Sequence, residues 1–385
     1  MAAKKPSVLI IDDRVDEARF GEAELAGVGT VRVRAPDDVT DTDLVASSVV
    51  LIDHRLEDWP ARDALESVCL KPRDGVALAG VLRSYLDQDH RDRPVAFALY
   101  SGQLRDLAQS RGPHMREHTI AHLTNLEWVF AKNEAPPGVT FPEQVAALAV
   151  AMAKLAARNA SSRRAATWDL RNLLLTPRSA SWAARAMEDV EECHPPYRDL
   201  ATDSRGLSIV RWLLHRILPY PCFLLDERYL AVRLRVTLPS LRAALADDER
   251  LRRKLRSVGY SGILARFLGR RWWRAGVDAL MWDLTDGDPF APDALRKAAT
   301  SKLSKTLKPL RMVDPVVTLD EHLRPTDVPA ELGECVEVQP DDWPPYAERA
   351  WLRIEDAVAD PLNAALVLST DKTRLNKHRK ATSHQ

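Results

Sequence analysis

The six residues Val49-Val50-Leu51-Ile52-Asp53-His54 decide how this chain is read. Four consecutive aliphatic side chains stop on a carboxylate. A second run, Val8-Leu9-Ile10-Ile11, stops on two, Asp12 and Asp13. An alternating pattern would mark a strand with one wet face. An unbroken apolar run predicts a strand covered on both faces, as in a parallel sheet. In open α/β sheets ligands gather beyond the carboxyl ends of the strands, where strand order reverses. Three carboxylates converging there repel one another, and a divalent cation removes that conflict.

The residues around these runs supply the rest of a layered pattern. Residues 14–25 have helical composition and end at Gly27 and Gly29, and residues 30–34 and 41–46 read as a short strand and a weak helix. Asp74-Gly75 opens a helix with Val76, Leu78, Val81, Leu82 and Leu86 available for a core. Residues 94–100 form a strand that ends at Ser101-Gly102. A helix interrupted at Gly112-Pro113 resumes over 114–123, and the last strand, 127–132, ends on Lys132. Phe141-Pro142 then opens an Ala-rich helix reaching about residue 157. Strand and helix alternate five times, which predicts a doubly wound, five-stranded parallel sheet.

With those strand ends in place, residues 7–158 resemble the receiver domain of two-component response regulators, the CheY-like superfamily. Asp12 and Asp13 match the acidic pair, Asp53 the phosphoacceptor, Ser101 the switch hydroxyl and Lys132 the lysine of that family. Asp74-Gly75 resembles the loop before its third helix. The resemblance implies a flavodoxin-like strand order. It also implies an Asp53 acyl phosphate formed with Mg²⁺ held by Asp12, Asp13, Asp53 and the backbone carbonyl of Arg55. Lys132 and Ser101 then contact the phosphoryl oxygens. The implied partner is a histidine kinase or phosphotransfer protein, and the implied setting is bacterial. Asn133 stands where the family usually has proline, and Val129 where it often has an aromatic. Residues 54–73 are longer than the family's spacing and read as an insertion beside the site. A receiver-like docking module or phosphate sink that works without phosphorylation is the alternative.

Other features carry competing readings. His114, His118 and His122 recur every four residues, the spacing of one helix face; zinc binding and a solvated face are the two readings. Cys69, Cys193, Cys222 and Cys335 include no CxxC, which argues against a structural zinc or disulfide framework. Cys193-His194 suggests a thiol beside a base, although adjacent residues rarely face each other.

The 385 residues, 45% of them apolar, are ample for a core and suggest two or three domains. No apolar stretch reaches the roughly 20 residues of a membrane helix. Met1-Ala-Ala-Lys-Lys-Pro runs straight into the first strand, so a cytoplasmic protein with no membrane partner is expected. Net charge is zero, yet residues 1–150 hold 17 Lys+Arg against 24 Asp+Glu, a net of −7, balanced by +7 in the remainder. That is not the composition of a dedicated nucleic-acid protein.

From 159 to 370 the chain predicts a mostly α-helical output or interaction domain with a few short strands, after a hinge near 160–164. Helices are expected at 168–175, 179–192, 207–218, 238–258, 292–307 and 346–358, the last burying Trp351 and Ile354. Strands are expected at 229–236, 313–319 and 334–338, the last two paired. Residues 371–385 read as a basic, flexible tail. Residues 242–274 carry nine Arg and one Lys against three acids, and within them Arg270, Arg271, Trp272 and Arg274 are candidates for nucleic-acid or partner contact. Structural packing competes with that reading, and no helix-turn-helix pattern accompanies it. A homodimer or partner protein through this half is the other expectation. No phosphate loop, kinase signature or nucleophile elbow appears here.

Overall fold

Five strands of 4–6 residues, all but the second mostly apolar, are β1 (Ser7–Ile11), β2 (Thr30–Arg34), β3 (Val49–Ile52), β4 (Ala96–Ser101) and β5 (Trp128–Ala131). They form one parallel sheet in the order β2-β1-β3-β4-β5, the flavodoxin-like doubly wound order. Helices α1 (Val15–Glu24), α2 (Asp41–Ala46), α3 (Gly75–Asp89), α4 (Glu117–Leu123) and α5 (Phe141–Ser161) connect and follow the strands. The computed structural model describes residues 6–59, 71–89, 93–102, 115–132, 138–161, 168–202 and 205–382.

Both faces of the sheet are covered over β1, β3, β4 and β5, which is why those strands are apolar, whereas the edge strand β2 alternates valine with arginine and is only partly buried. Leu9, Ile11, Val50, Ile52, Phe97, Leu99 and Val129 share one core with Leu44 of α2, Leu78 and Leu86 of α3 and Ile120 of α4. On the opposite face Tyr100 stacks on Phe141 of α5 at 4.5 Å, and Phe130 meets the same ring edge-on at 5.4 Å. Val145, Leu148, Met152 and Leu155 of α5 are buried.

The boundary expected after residue 158 is not where the chain divides. One compact unit comprises Met1–Leu175, Pro195–Pro219 and Ser261–Gly269; the other comprises Thr176–His194, Tyr220–Tyr260 and Arg270–Gln385. The α/β unit therefore recruits two later segments. Phe267 is fully buried, edge-on to Trp128 at 5.0 Å and tilted against Phe130 at 6.2 Å. The amide of Ile263 donates to the carbonyl of Leu173 at 3.0 Å. Of the expected hinge, residues 162–164 lie outside the described residues.

The second unit is helical with short antiparallel ladders, as expected in outline, but several of its elements differ. Residues 229–236 lie mostly in a helix, Glu227–Arg233, because Asp226 caps it by accepting from the amides of Arg228 and Tyr229. The helix expected over 238–258 breaks at Asp248, which ends Leu238–Asp247 and caps Glu249–Arg256. Cys335–Val338 pairs with Ala350–Arg353 rather than with 313–319, and Pro315–Val316 pairs with Ala330–Glu331. The final helix of the expected set is Ile354–Ala359, and Trp351 lies half-buried in the preceding strand. Lys372–Thr382 is helical and buries Leu375, where a fraying tail was expected; residues 383–385 lie outside the described residues. Leu230, Leu241, Leu251, Val277 and Leu303 centre the core of this unit.

Candidate functional site

Parallel strands put their carboxyl ends on one edge of the sheet. The residues just beyond β1, β3 and β5 are Asp12-Asp13, Asp53 and Lys132, and the structure brings all four together. Lys132 Nζ lies 2.6 Å from Asp53 Oδ1 and 3.3 Å from Asp12 Oδ2. Burial disfavours its ammonium, but the hydrogen bond and charge of Asp53, with Asp12 behind them, outweigh this and raise the Lys132 pKa above its ordinary value. The lysine is a protonated bridge between two carboxylates. Ser101, the last residue of β4, is buried at the same edge of the sheet.

The remaining oxygens of the acidic groups are aligned by backbone. Asp12 Oδ1 accepts from the Arg14 amide at 2.9 Å, and Asp53 Oδ2 from the Arg55 amide at 2.9 Å. One Asp13 oxygen accepts from the Asp58 amide at 2.6 Å, while the other, Oδ1, is buried with no hydrogen-bond partner among the described residues. Burial pushes the Asp13 carboxyl above the usual range, the Asp58 amide opposes this, and the charges of Asp12 and Asp53 add to it. An orphaned carboxylate oxygen beside two further carboxylates suits a hard divalent cation. Among the described residues no group of three or more His, Cys, Asp or Glu side chains is arranged to hold a metal ion by itself. Mg²⁺ does not require one, because it commonly takes one or two carboxylates and completes its shell with water and phosphate.

The expected insertion begins and ends against this site. Arg55 and Asp74 form an antiparallel bridge, the Leu56 amide donates to the Arg73 carbonyl, and the Gly75 amide donates to the His54 carbonyl, both at 2.9 Å. Asp74 Oδ1 accepts from the Ala77 amide at 2.8 Å and caps α3. Leu56 and Trp59 enter the core, and Lys71 covers the Trp59 ring at 5.1 Å while pairing with Asp37 at 2.7 Å. Asp58, whose amide holds Asp13, also receives Arg14 at 2.9 Å. Residues 60–70 lie outside the described residues. Asp58 and Arg14 were not anticipated from sequence, since neither sits at a strand end.

A second cluster, also not anticipated, lies at the opposite end of β5. Glu127 is wholly buried, and its carboxylate accepts from the Phe97 amide at 2.6 Å, from Arg83 at 3.1 Å and from Arg211 at 2.8 Å. Burial alone would raise its pKa, but the two guanidiniums hold it at about 2. His215 Nε2 donates to the Glu127 carbonyl at 3.0 Å, and burial lowers its pKa to about 4. This ties the helical stretch 207–217 to the turn before β5.

Several expected site residues prove structural. His118 is buried and stacked beside Trp128, whereas His122 meets His215 edge-on at 5.6 Å. The two imidazoles serve different neighbours, and no metal-binding triad accompanies them among the described residues; His114 lies outside those residues. The Cys193 and Cys222 thiols are hydrogen-bonded to each other, while His194 lies against Tyr346, so Cys193 and His194 do not form a thiol–base pair. Burial first, then Cys193, pushes the Cys222 thiol well above its usual range. Trp272 and Trp273 are core residues, with Trp273 stacked on Phe223 at 5.6 Å, so neither ring is available to stack a base. Arg274 pairs with buried Asp189 at 3.1 Å and Arg271 is partly buried, leaving Arg270 as the exposed cation of that group.

No family model and no curated protein matches the chain. Among solved structures it is similar to RcsB from Salmonella enterica serovar Typhimurium, bound to promoter P1flhDC in the presence of the phosphomimetic BeF3-. The identity is 14%, the match covers 55% of this chain and 93% of that one, and the TM-score is 0.25. No helix among the described residues is long and apolar enough to cross a membrane.

Proposed function

We propose that the α/β unit is a response-regulator-like receiver in which Asp53 accepts a phosphoryl group. The observation that carries this is the convergence of Asp12, Asp13, Asp53 and Lys132 beyond β1, β3 and β5, with Lys132 Nζ 2.6 Å from Asp53. A carboxylate oxygen of Asp53 attacks phosphorus in line; the bond to the donor's leaving group breaks and an acyl phosphate forms. The donor class is a phosphohistidine of a kinase or phosphotransfer protein. Lys132 is positioned to turn from the carboxylates to a phosphoryl oxygen as a point charge. Ser101 would donate its hydroxyl to another phosphoryl oxygen. That hydrogen bond exists only while Asp53 is phosphorylated, so it can bias a two-state surface. Asp12, Asp13, Asp53 and the Arg55 carbonyl would hold Mg²⁺, which when bound offsets charge on the phosphoryl oxygens.

A second reading, a docking module that works without phosphorylation, is favoured by one feature. Lys132 and the Asp58 amide already satisfy much of the carboxylate charge. One experiment separates the two. Intact mass is measured after exposure to acetyl phosphate and Mg²⁺, for the native chain and for Asp53→Ala. A phosphate-sized gain lost in Asp53→Ala supports phosphoacceptance. No gain under conditions that label an ordinary receiver favours docking.

A further inference from the structure

The cations expected to matter, in 242–274, are largely committed. Arg242 pairs with Glu227 and Asp327, Arg252 with Glu249, and Arg274 with Asp189. Arg250 and Lys254 both donate to the carbonyl of Lys302. Arg253 and Arg270 stay exposed, and an acid-free cationic stretch lies later. Between Ala294 and Val313 there are six Lys or Arg residues and no Asp or Glu. This stretch runs from the helix Pro292–Ala298 through a wider turn, Ala299–Leu303, and returns at Pro309–Arg311.

The two ends of the stretch meet around an open cavity of about 460 Å³, lined by Asp293, Arg296, Lys297, Thr300, Pro309 and Arg311. Arg296 is fixed there. Its Nε donates to the Leu310 carbonyl at 2.8 Å, one terminal nitrogen donates to the Met312 carbonyl at 2.7 Å, and the other meets Asp293 at 2.5 Å. Those bonds clamp the returning segment against the helix and hold the cavity's shape. Asp293 offsets the Arg296 charge, so the net charge of the lining comes from Lys297 and Arg311. Both are exposed, and among the described residues neither has a hydrogen-bond or ion-pair partner. Two like charges facing one cavity without a counter-charge favour an anion. The Thr300 hydroxyl spends its proton on the Arg296 and Lys297 carbonyls, so the positive charges of Lys297 and Arg311 are what the lining offers an anion.

We propose that this cavity binds a small ligand carrying two or more linked phosphate groups, such as the diphosphate or triphosphate of a nucleotide. The volume lies within the ordinary range of small-molecule sites. Lys297 and Arg311 supply two separate charges, which suits an anion with charge at two points better than a single phosphate. No aromatic side chain is among the described residues that line the cavity, so recognition falls on the phosphates. Pairing with carboxylates withdraws Arg242, Arg252 and Arg274 from any cationic track of the kind a nucleic-acid backbone follows. The site lies in the helical unit and stands independently of the Asp53 reading.

Calorimetric titration of the full chain with pyrophosphate, tripolyphosphate and inorganic phosphate at low salt tests the proposal. Pyrophosphate and tripolyphosphate are expected to bind more tightly than phosphate. Lys297→Ala with Arg311→Ala should weaken them by about tenfold or more, a loss of ~1.4 kcal/mol or more. Lys377→Ala, at an exposed lysine on the last helix, should change nothing. Both variants replace exposed side chains, and circular dichroism verifies their folds. Absence of binding at millimolar pyrophosphate overturns the proposal, as does binding that the double variant leaves intact. A single-stranded oligonucleotide that binds through these residues far more tightly than tripolyphosphate would replace it with backbone recognition.

Discussion

Gly75 occupies a position that admits no side chain. A Cβ there would lie 2.2 Å from the carbonyl oxygen of Asp53 and 2.9 Å from Leu99 Cδ2. The first contact is with backbone and cannot be relieved by a rotamer change. Gly75→Ala must push the chain after β3 away from α3, which moves Asp53 relative to Lys132. It is expected to cost about 1–3 kcal/mol or more in chemical denaturation and to reduce acetyl-phosphate labelling of Asp53 even where the fold survives. Normal labelling in a stable Gly75→Ala would contradict this account of the loop. Lys132 makes a complementary prediction. Lys132→Met leaves Asp12 and Asp53 facing each other without their bridge, so Mg²⁺ should raise the Tm of this variant more than that of the native chain. An equal Mg²⁺ response in both would show that the lysine and the cation do not share this site. Sequence makes Asp53 and Lys132 legible because each ends an apolar strand. Asp58 and Arg14 are hidden because their roles depend on how the chain returns after β3.

β5 carries a charged group at each end. Lys132 follows its carboxyl end, and Glu127 precedes its amino end, buried between Arg83 and Arg211. The low Glu127 pKa makes a stability statement. The unfolded carboxylate takes up a proton near pH 4.5 and the folded one near 2, so stability is complete above pH 4.5 and falls as pH drops toward 2. His215 acts in the same direction over a higher window. Its unfolded pKa is 6.5 and its folded value about 4, so protons bind preferentially to the unfolded chain between them, and stability is lost as pH falls through that range. Urea midpoints measured across pH 7 to 4 should therefore decline, and His215→Gln should flatten the decline. An unchanged slope in His215→Gln would place the pH sensitivity elsewhere. Glu127→Gln leaves two guanidiniums facing a neutral amide and is expected to cost roughly 3–5 kcal/mol at neutral pH, read from the same denaturation curves.

The division of the chain bears on how it can be handled. Residues 1–158 look self-contained in sequence, but the α/β unit includes Pro195–Pro219 and Ser261–Gly269. A fragment ending at 158 lacks Arg211, which answers Glu127, and Phe267, which packs on Trp128 and Phe130. That fragment is expected to melt well below the full chain and to aggregate when concentrated, as light scattering would show. A monomeric 1–158 with a Tm matching that of the full chain would show the later segments to be dispensable.

By itself the sequence determined the doubly wound sheet and the edge at which its acidic groups meet. Period, strand length and the residue after each apolar run are local properties, and parallel pairing carries them to one end of the sheet. Residues 229–233 became helical because the Asp226 side chain caps the first turn, a local bond that the run of apolar residues concealed. Only the tertiary structure decided that Trp272 and Trp273 are core, that Lys297 and Arg311 are unpaired among the described residues while Arg274 is paired, and that Arg211 and Phe267 belong to the α/β unit. Each depends on partners distant in sequence. Burial and ion pairing are settled by what the fold brings alongside a residue, and neither leaves a mark in the residues beside it.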